Sequence, residues 1–153
     1  MIEEEINSAT EELKRADHLI YVSLKYTRTG DVIKSVISRL MSAQELVIDG
    51  VLEWLEKKRK LKNVDYNKSY RIKSRLIKEK LRTDKILIDF LNLYDELTAI
   101  MRSDSISKEE FRKNVRIVLI NDGIESDEIN IERLKEYYRK TMDLVKKVEF
   151  KIK

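Results

Sequence analysis

The chain reads as a mainly α-helical protein: a bundle of long antiparallel helices, then a small C-terminal β-hairpin and a final helix. Three observations predict this. The 153 residues include no proline and only three glycines, at positions 30, 50 and 123, so little interrupts a helix. Apolar residues recur at helical spacing through most of residues 1–102. One stretch, Val115 to Ile120, turns to β-branched residues and precedes the hairpin signal Asp122-Gly123. The length suits a single domain over 1–153, with the bundle at about 3–102 and the hairpin and last helix at about 111–150.

Helix one is expected over about 3–26. Ile2, Ile6, Ala9, Leu13, Ala16 and Ile20 form one stripe. Leu19, Tyr21, Val22 and Leu24 widen it, which predicts deeper burial toward the C-terminal end. Thr27-Arg28-Thr29-Gly30 ends the helix, with Gly30 free to take a positive φ.

Asp31 is the expected N-cap of a second helix that reaches about Lys60, roughly 45 Å long. From Val32 to Leu55 this helix is apolar around most of its circumference. Its polar stripe is narrow: Ser35, Arg39, Ser42, Glu45, Asp49, Glu53 and Glu56. Such a helix belongs at the centre of a bundle or in an interface between subunits.

Residues 63–67 read as a loop, and a third helix is expected from Asn67 or Lys68. The apolar period resumes at Ile86, Phe90, Leu93, Leu97 and Ile100. Thr83 or Asp84 can cap a separate helix there, so residues 67–102 are either one helix or two. Ser107-Lys108-Glu109-Glu110 fits a capping box for a short helical turn. Residues 124–129 alternate weakly as a return strand. Asn130 can cap the last helix, with Ile131, Leu134, Tyr138, Met142, Val145 and Val148 at helical spacing.

Composition removes several classes. Charged residues make up 39% and apolar residues 42%, too apolar for a disordered tail. No apolar run approaches the roughly 18–20 residues that span a bilayer, so no membrane role is expected. The absence of cysteine removes disulfides and thiolate metal sites. Met1-Ile2-Glu3-Glu4-Glu5 lacks the basic and apolar regions of a secretory leader, so a cytoplasmic location is expected. Abundant Lys, Glu and Ile resembles the composition of thermophile proteins.

Candidate chemistry is sparse. His18 is the lone histidine; its neighbour Asp17 does not share its helix face, so no catalytic residue is assigned. Glu45, Asp49 and Glu53 recur every fourth residue, but bundle metal centres add Glu-x-x-His motifs, and none exists here. No metal or cofactor is expected. These carboxylates read as a solvated stripe or as partners for bases on the third helix or a second subunit. The glycine-rich phosphate loops and the H-E-x-x-H zinc motif are absent.

The strongest signal is charge. Residues 57–85 hold thirteen Lys or Arg against three acids, a net of +10, while the rest of the chain sums to −6. Arg71, Arg75, Lys78 and Arg82 are spaced 4, 3 and 4 apart and fall in one narrow arc of a helix over about 68–85. Tyr66 and Tyr70 sit beside them, where aromatic rings can stack on bases. A one-signed stripe of this kind is the electrostatic footprint of RNA or DNA binding, and a solvated or internally paired face is the alternative.

Two stretches carry a resemblance. Ala16-Asp17-His18-Leu19-Ile20-Tyr21-Val22 is similar to the ADHLLYV stretch of a family of small uncharacterised archaeal helical proteins. Phe111 to Asp122, with Ile131-Glu132-Arg133-Leu134-Lys135-Glu136-Tyr137, resembles that family's strand, turn and final helix. The family implies no function. The helical hairpin also loosely resembles the HEPN group, whose nucleases use an Arg followed four to six residues later by a His, late in the domain. This chain has no such pair, and Arg15 precedes His18 at the wrong spacing; the resemblance therefore implies a non-catalytic member.

The function expected from these readings is a non-enzymatic protein-interaction module. The apolar surplus of helix two suggests a homodimer formed through helix one or two. The alternative is a nucleic-acid-binding protein that uses Tyr70, Arg71, Arg75, Lys78 and Arg82.

Overall fold

Few chain breakers and a sustained apolar period leave helix as the satisfied state for most of the backbone. The computed structural model describes residues 1–153 and is mainly helical. It runs α1 (Ile2–His18), a π-helical segment (Leu19–Ser23), α2 (Leu24–Tyr26), α3 (Gly30–Lys57), α4 (Tyr70–Lys80) and α5 (Lys85–Arg102). Strands β1 (Asp104–Lys108), β2 (Arg116–Asn121) and β3 (Ile124–Asn130) follow, and α6 (Ile131–Ile152) closes the chain. The strands form one antiparallel sheet in the order β1-β2-β3. No helix is long and apolar enough to cross a membrane.

The axis of the molecule is α3. It touches α1, α4, α5 and α6, together with β1 and β2. Ile33, Val36, Ile37, Leu40, Ile48, Leu52 and Leu55 are wholly buried along it, and each such aliphatic side chain contributes about 1.5–3 kcal/mol by leaving water. One contiguous core of 35 buried residues extends from Ile6 to Ile152 and takes in Ile117, Leu119 and Ile129 of the sheet. The apolar surplus of α3 is thus covered within one chain.

Both ends of α3 differ from expectation. Thr29 is the N-cap: its hydroxyl accepts the Val32 amide at 3.3 Å, and the Glu110 carboxylate accepts the Gly30 amide at 3.4 Å. Asp31, the expected cap, lies inside the first turn, where its charge still suits the positive end of the helix dipole. Gly30 does not take a positive φ. It is required by close approach, since a Cβ there would lie 1.9 Å from Ser107 Oγ and 2.9 Å from Ser107 Cβ on β1. At the other end α3 stops at Lys57 instead of Lys60. Arg59 is left-handed (φ 59), its amide bonds Glu56 O and the Lys60 amide bonds Leu55 O, both at 2.9 Å. That pair of bonds is a Schellman closure, which satisfies carbonyls the helix would leave open.

The C-terminal end of the first helix is not the more buried one. Tyr21 is 46% exposed, Val22 41% and Tyr26 77%, while Ile20 and Leu24 stay in the core. The π-helical segment accounts for this: its wider turn shifts the angular position of each side chain, so the stripe narrows to Ile20 and Leu24.

Residues 67–102 are two helices. Ser69 caps α4 by accepting the Ile72 amide at 3.3 Å, so this helix begins at Tyr70 and not at Asn67 or Lys68. Asp84 caps α5 through the Leu87 amide at 3.2 Å, and its second oxygen holds Lys151 at 2.9 Å. One carboxylate therefore ends the α4–α5 turn and anchors the far end of α6. The expected continuous helix over 68–85 breaks here, and Arg82 falls in the turn.

The C-terminal hairpin has a third strand. Ser107 and Lys108, expected in a helical turn, lie in β1 opposite Ile117 and Arg116. The β-branched β2 offers its free edge to Asp104–Lys108, and ladder bonds along that whole edge outweigh a single capping interaction. Glu109 and Phe111 then take left-handed conformations to turn the chain. Between β2 and β3, Asp122 (φ 52) and Gly123 (φ 76) form the two-residue type I′ turn their sequence signals. The β2–β3 register skips Ser126, a bulge that re-aims β3 toward α6.

Candidate nucleic-acid interface

Arg71 and Arg75 project from the exposed side of α4, and neither makes an ion pair. Lys78, a turn further on, is half-buried and meets Asp95 of α5 at 2.5 Å. Arg82 is exposed in the turn after α4. Tyr70 is half-buried; its hydroxyl donates to Asp49 at 2.8 Å, and the Lys73 ammonium sits 4.2 Å from its ring centre. Tyr66 donates to Glu56 and lies 5.7 Å from the same ammonium. The two tyrosines expected to stack on bases therefore engage carboxylates and a lysine of this chain.

Those carboxylates are the stripe of α3. Glu45 accepts the Tyr94 hydroxyl at 2.7 Å, and Asp49 holds both Tyr70 and the Lys73 ammonium, each at 2.8 Å. Glu53 meets the Met1 amine at 3.4 Å. Lys73 is 3% exposed, so Asp49 supplies the counter-charge that permits its burial. Burial and then the carboxylate acceptors push the phenols of Tyr66, Tyr70 and Tyr94 well above their usual range. Of the stripe, only Asp49 meets α4; Glu45 is taken by Tyr94 of α5, Glu53 by the N-terminal amine and Glu56 by Tyr66 in the loop before α4. No group of three or more His, Asp or Glu is placed to hold a metal ion.

A cleft of about 670 Å³ lies between α4 and α5. It gathers Tyr70, Arg71, Arg75 and Lys78 from the sequence-derived set and leaves Arg82 outside. Arg102, in the last turn of α5, joins them. Sequence reasoning missed it. The usable signal was the Asp84 cap, because a break there returns α5 antiparallel and brings residues 98–102 opposite residues 70–75.

Ion pairing separates this region from the rest of the chain. Of the thirteen cations in residues 57–85, only Lys73 and Lys78 are ion-paired. Of the nineteen elsewhere, twelve are paired. Lys57 closes the last turn of α3 and Lys58 to Lys60 follow it, where positive charge complements the helix dipole. His18 is exposed at the end of α1, and its imidazole makes no ion pair or hydrogen bond. No family model, curated protein or solved structure matches the chain.

Proposed function

We propose that this is a binding module whose basic face, formed by α4 and the turns on either side of it, engages the phosphate backbone of RNA or DNA. One observation carries the reading: eleven cations between Lys57 and Lys85 lack an acidic partner within the chain. Unpaired charge of one sign attracts a polyanion and releases its counterions on contact. The internally paired alternative would need the acidic surplus elsewhere to neutralise this face, and only Asp49 and Asp95 do so. The surplus apolar surface of α3, the reason for expecting a homodimer, is met inside one chain and lends that partner no support. Neither the archaeal-family resemblance nor the HEPN likeness contributes to the reading.

Fluorescence anisotropy of labelled RNA and DNA, at low and near-physiological salt, tests it. Micromolar or tighter binding that collapses in Arg71→Glu/Arg75→Glu is expected. Absence of binding at low salt would remove the reading.

A further inference from the structure

Backbone phosphates are diesters with one negative charge each, and a flat basic face suffices to hold them. The cleft between α4 and α5 is more concentrated than that. Its charged lining is Arg71, Arg75, Lys78 and Arg102 against Glu45 and Asp95, a net of +2. Lys78 and Asp95 neutralise one another, and Glu45 is engaged by the Tyr94 hydroxyl. Three guanidiniums are left without a carboxylate, two on the α4 wall and one on the α5 wall. Ser74 lines the same cleft, is 2% exposed, and its hydroxyl has no hydrogen-bond partner. A buried hydroxyl without a partner is uncommon in a folded protein, and here it lies in the wall that carries Arg71 and Arg75. Only three of the twelve lining residues are hydrophobic, which argues against an apolar ligand.

We propose that this cleft receives the terminal phosphomonoester of a nucleic-acid strand, gripped by Arg71 and Arg75 from one side and Arg102 from the other, with Ser74 as the uncommitted donor in the wall. The inference rests on the basic-face reading and specifies what that face selects. A monoester carries about −1.5 to −2 charge at neutral pH, which matches the net charge of the cleft; a diester carries half of that. Guanidinium forks bind phosphate oxygens in pairs, so two walls of arginine suit a group with three free oxygens. The cleft volume is in the range of small-ligand sites, larger than a phosphate alone, and admits the end nucleotide as well.

The test uses one internally labelled oligonucleotide in three forms: 5′-phosphorylated, 3′-phosphorylated and hydroxyl at both ends. Each is titrated against the wild type, Arg102→Gln and Ser74→Ala, with circular dichroism to confirm folding. One phosphorylated form should bind about tenfold more tightly than the hydroxyl form, consistent with extra charge-assisted bonds. Arg102→Gln, on an exposed side chain, should erase that preference, bringing the phosphorylated form to the affinity of the hydroxyl form in the same variant. Equal affinity for all three ends would overturn the cleft proposal and leave the basic face standing. Failure of all three to bind would overturn the basic face and the strand-end proposal together. Adenosine monophosphate is the last arm. Competition that abolishes only the end preference supports the proposal. Its Arg102-dependent binding without any end preference among the oligonucleotides would replace the strand end with a free nucleotide.

Discussion

On α1 and α6, cations stand about one helical turn from acids: Arg15 meets Glu12 at 2.7 Å, Lys147 meets Asp143 at 3.0 Å and Lys153 meets Glu149 at 2.7 Å. On α4 five cations accompany one acid, Glu79, and that acid pairs with none of them. All three helices are charged and amphipathic, yet their fields differ. Alternating signs cancel within a turn and leave a solvated surface, whereas a one-signed face projects a potential that survives to the distance of a partner. Charge content alone does not distinguish the two; the spacing of acids relative to bases does.

The largest effect should come from breaking this contrast directly. Arg71→Glu/Arg75→Glu should weaken oligonucleotide binding by about two orders of magnitude, because two phosphate contacts become repulsions. The matched change in the paired region, Lys14→Glu/Arg15→Glu, should leave affinity within about threefold. Parallel anisotropy titrations read both, and equal losses would erase the distinction between the regions.

Much of the fold was legible, and the residues show why. Few residues interrupt the apolar surface of α3, and tertiary packing only confirms what such a surface demands. Asp122-Gly123 and Asn130 act through local geometry, so their roles survive in any context. Strand β1 was hidden because Asp104-Ser-Ile-Ser-Lys has a single apolar residue and owes its strand state to the neighbouring edge of β2. Ser107-Lys108-Glu109-Glu110 satisfied a local helix signal that the sheet overrode. The π-helical segment has no local signature. The cleft was half legible: spacing placed Arg71, Arg75 and Lys78 on one face, but Arg102 and Ser74 join them only through the α4–α5 return. The hydroxyl partners of Tyr66 and Tyr70 were not legible, because Glu56 and Asp49 come from another helix.

A second effect separates buried from exposed cations on the same helix. Lys73→Met should lower stability by about 2 kcal/mol, since Asp49 loses its counter-charge and keeps only the Tyr70 hydroxyl. Arg75→Met should change stability by less than about 0.5 kcal/mol, as an exposed side chain without partners. Urea denaturation of both variants gives the difference.

Smaller still is the reverse change at Gln44. This residue of α3 is fully buried, and neither amide atom has a hydrogen-bond partner. Gln44→Met should raise stability by about 1 kcal/mol by removing an unpaid desolvation. A loss of stability in thermal melts would show that the amide is satisfied in solution.

The smallest effect belongs to the paired surface. Asp127 meets Arg133 at 2.7 Å, and hydrogen bonding from that guanidinium holds its carboxyl below the usual range. A lowered folded-state pKa stabilises the protein above the ordinary value of 3.8 and loses that contribution as pH falls through the lowered one. The pair is half exposed, so Asp127→Asn should cost only about 0.5 kcal/mol near neutrality. The deficit relative to wild type should shrink in strong acid, as read by denaturation at a series of pH values.

If phosphates occupy the free cations of α4 and its flanking turns, the salt dependence of oligonucleotide affinity counts those cations. The logarithm of affinity should fall linearly with the logarithm of salt concentration, and Arg71→Gln/Arg75→Gln should make the slope shallower by about two. An unchanged slope in the variant, or an affinity indifferent to salt in the wild type, would contradict the account.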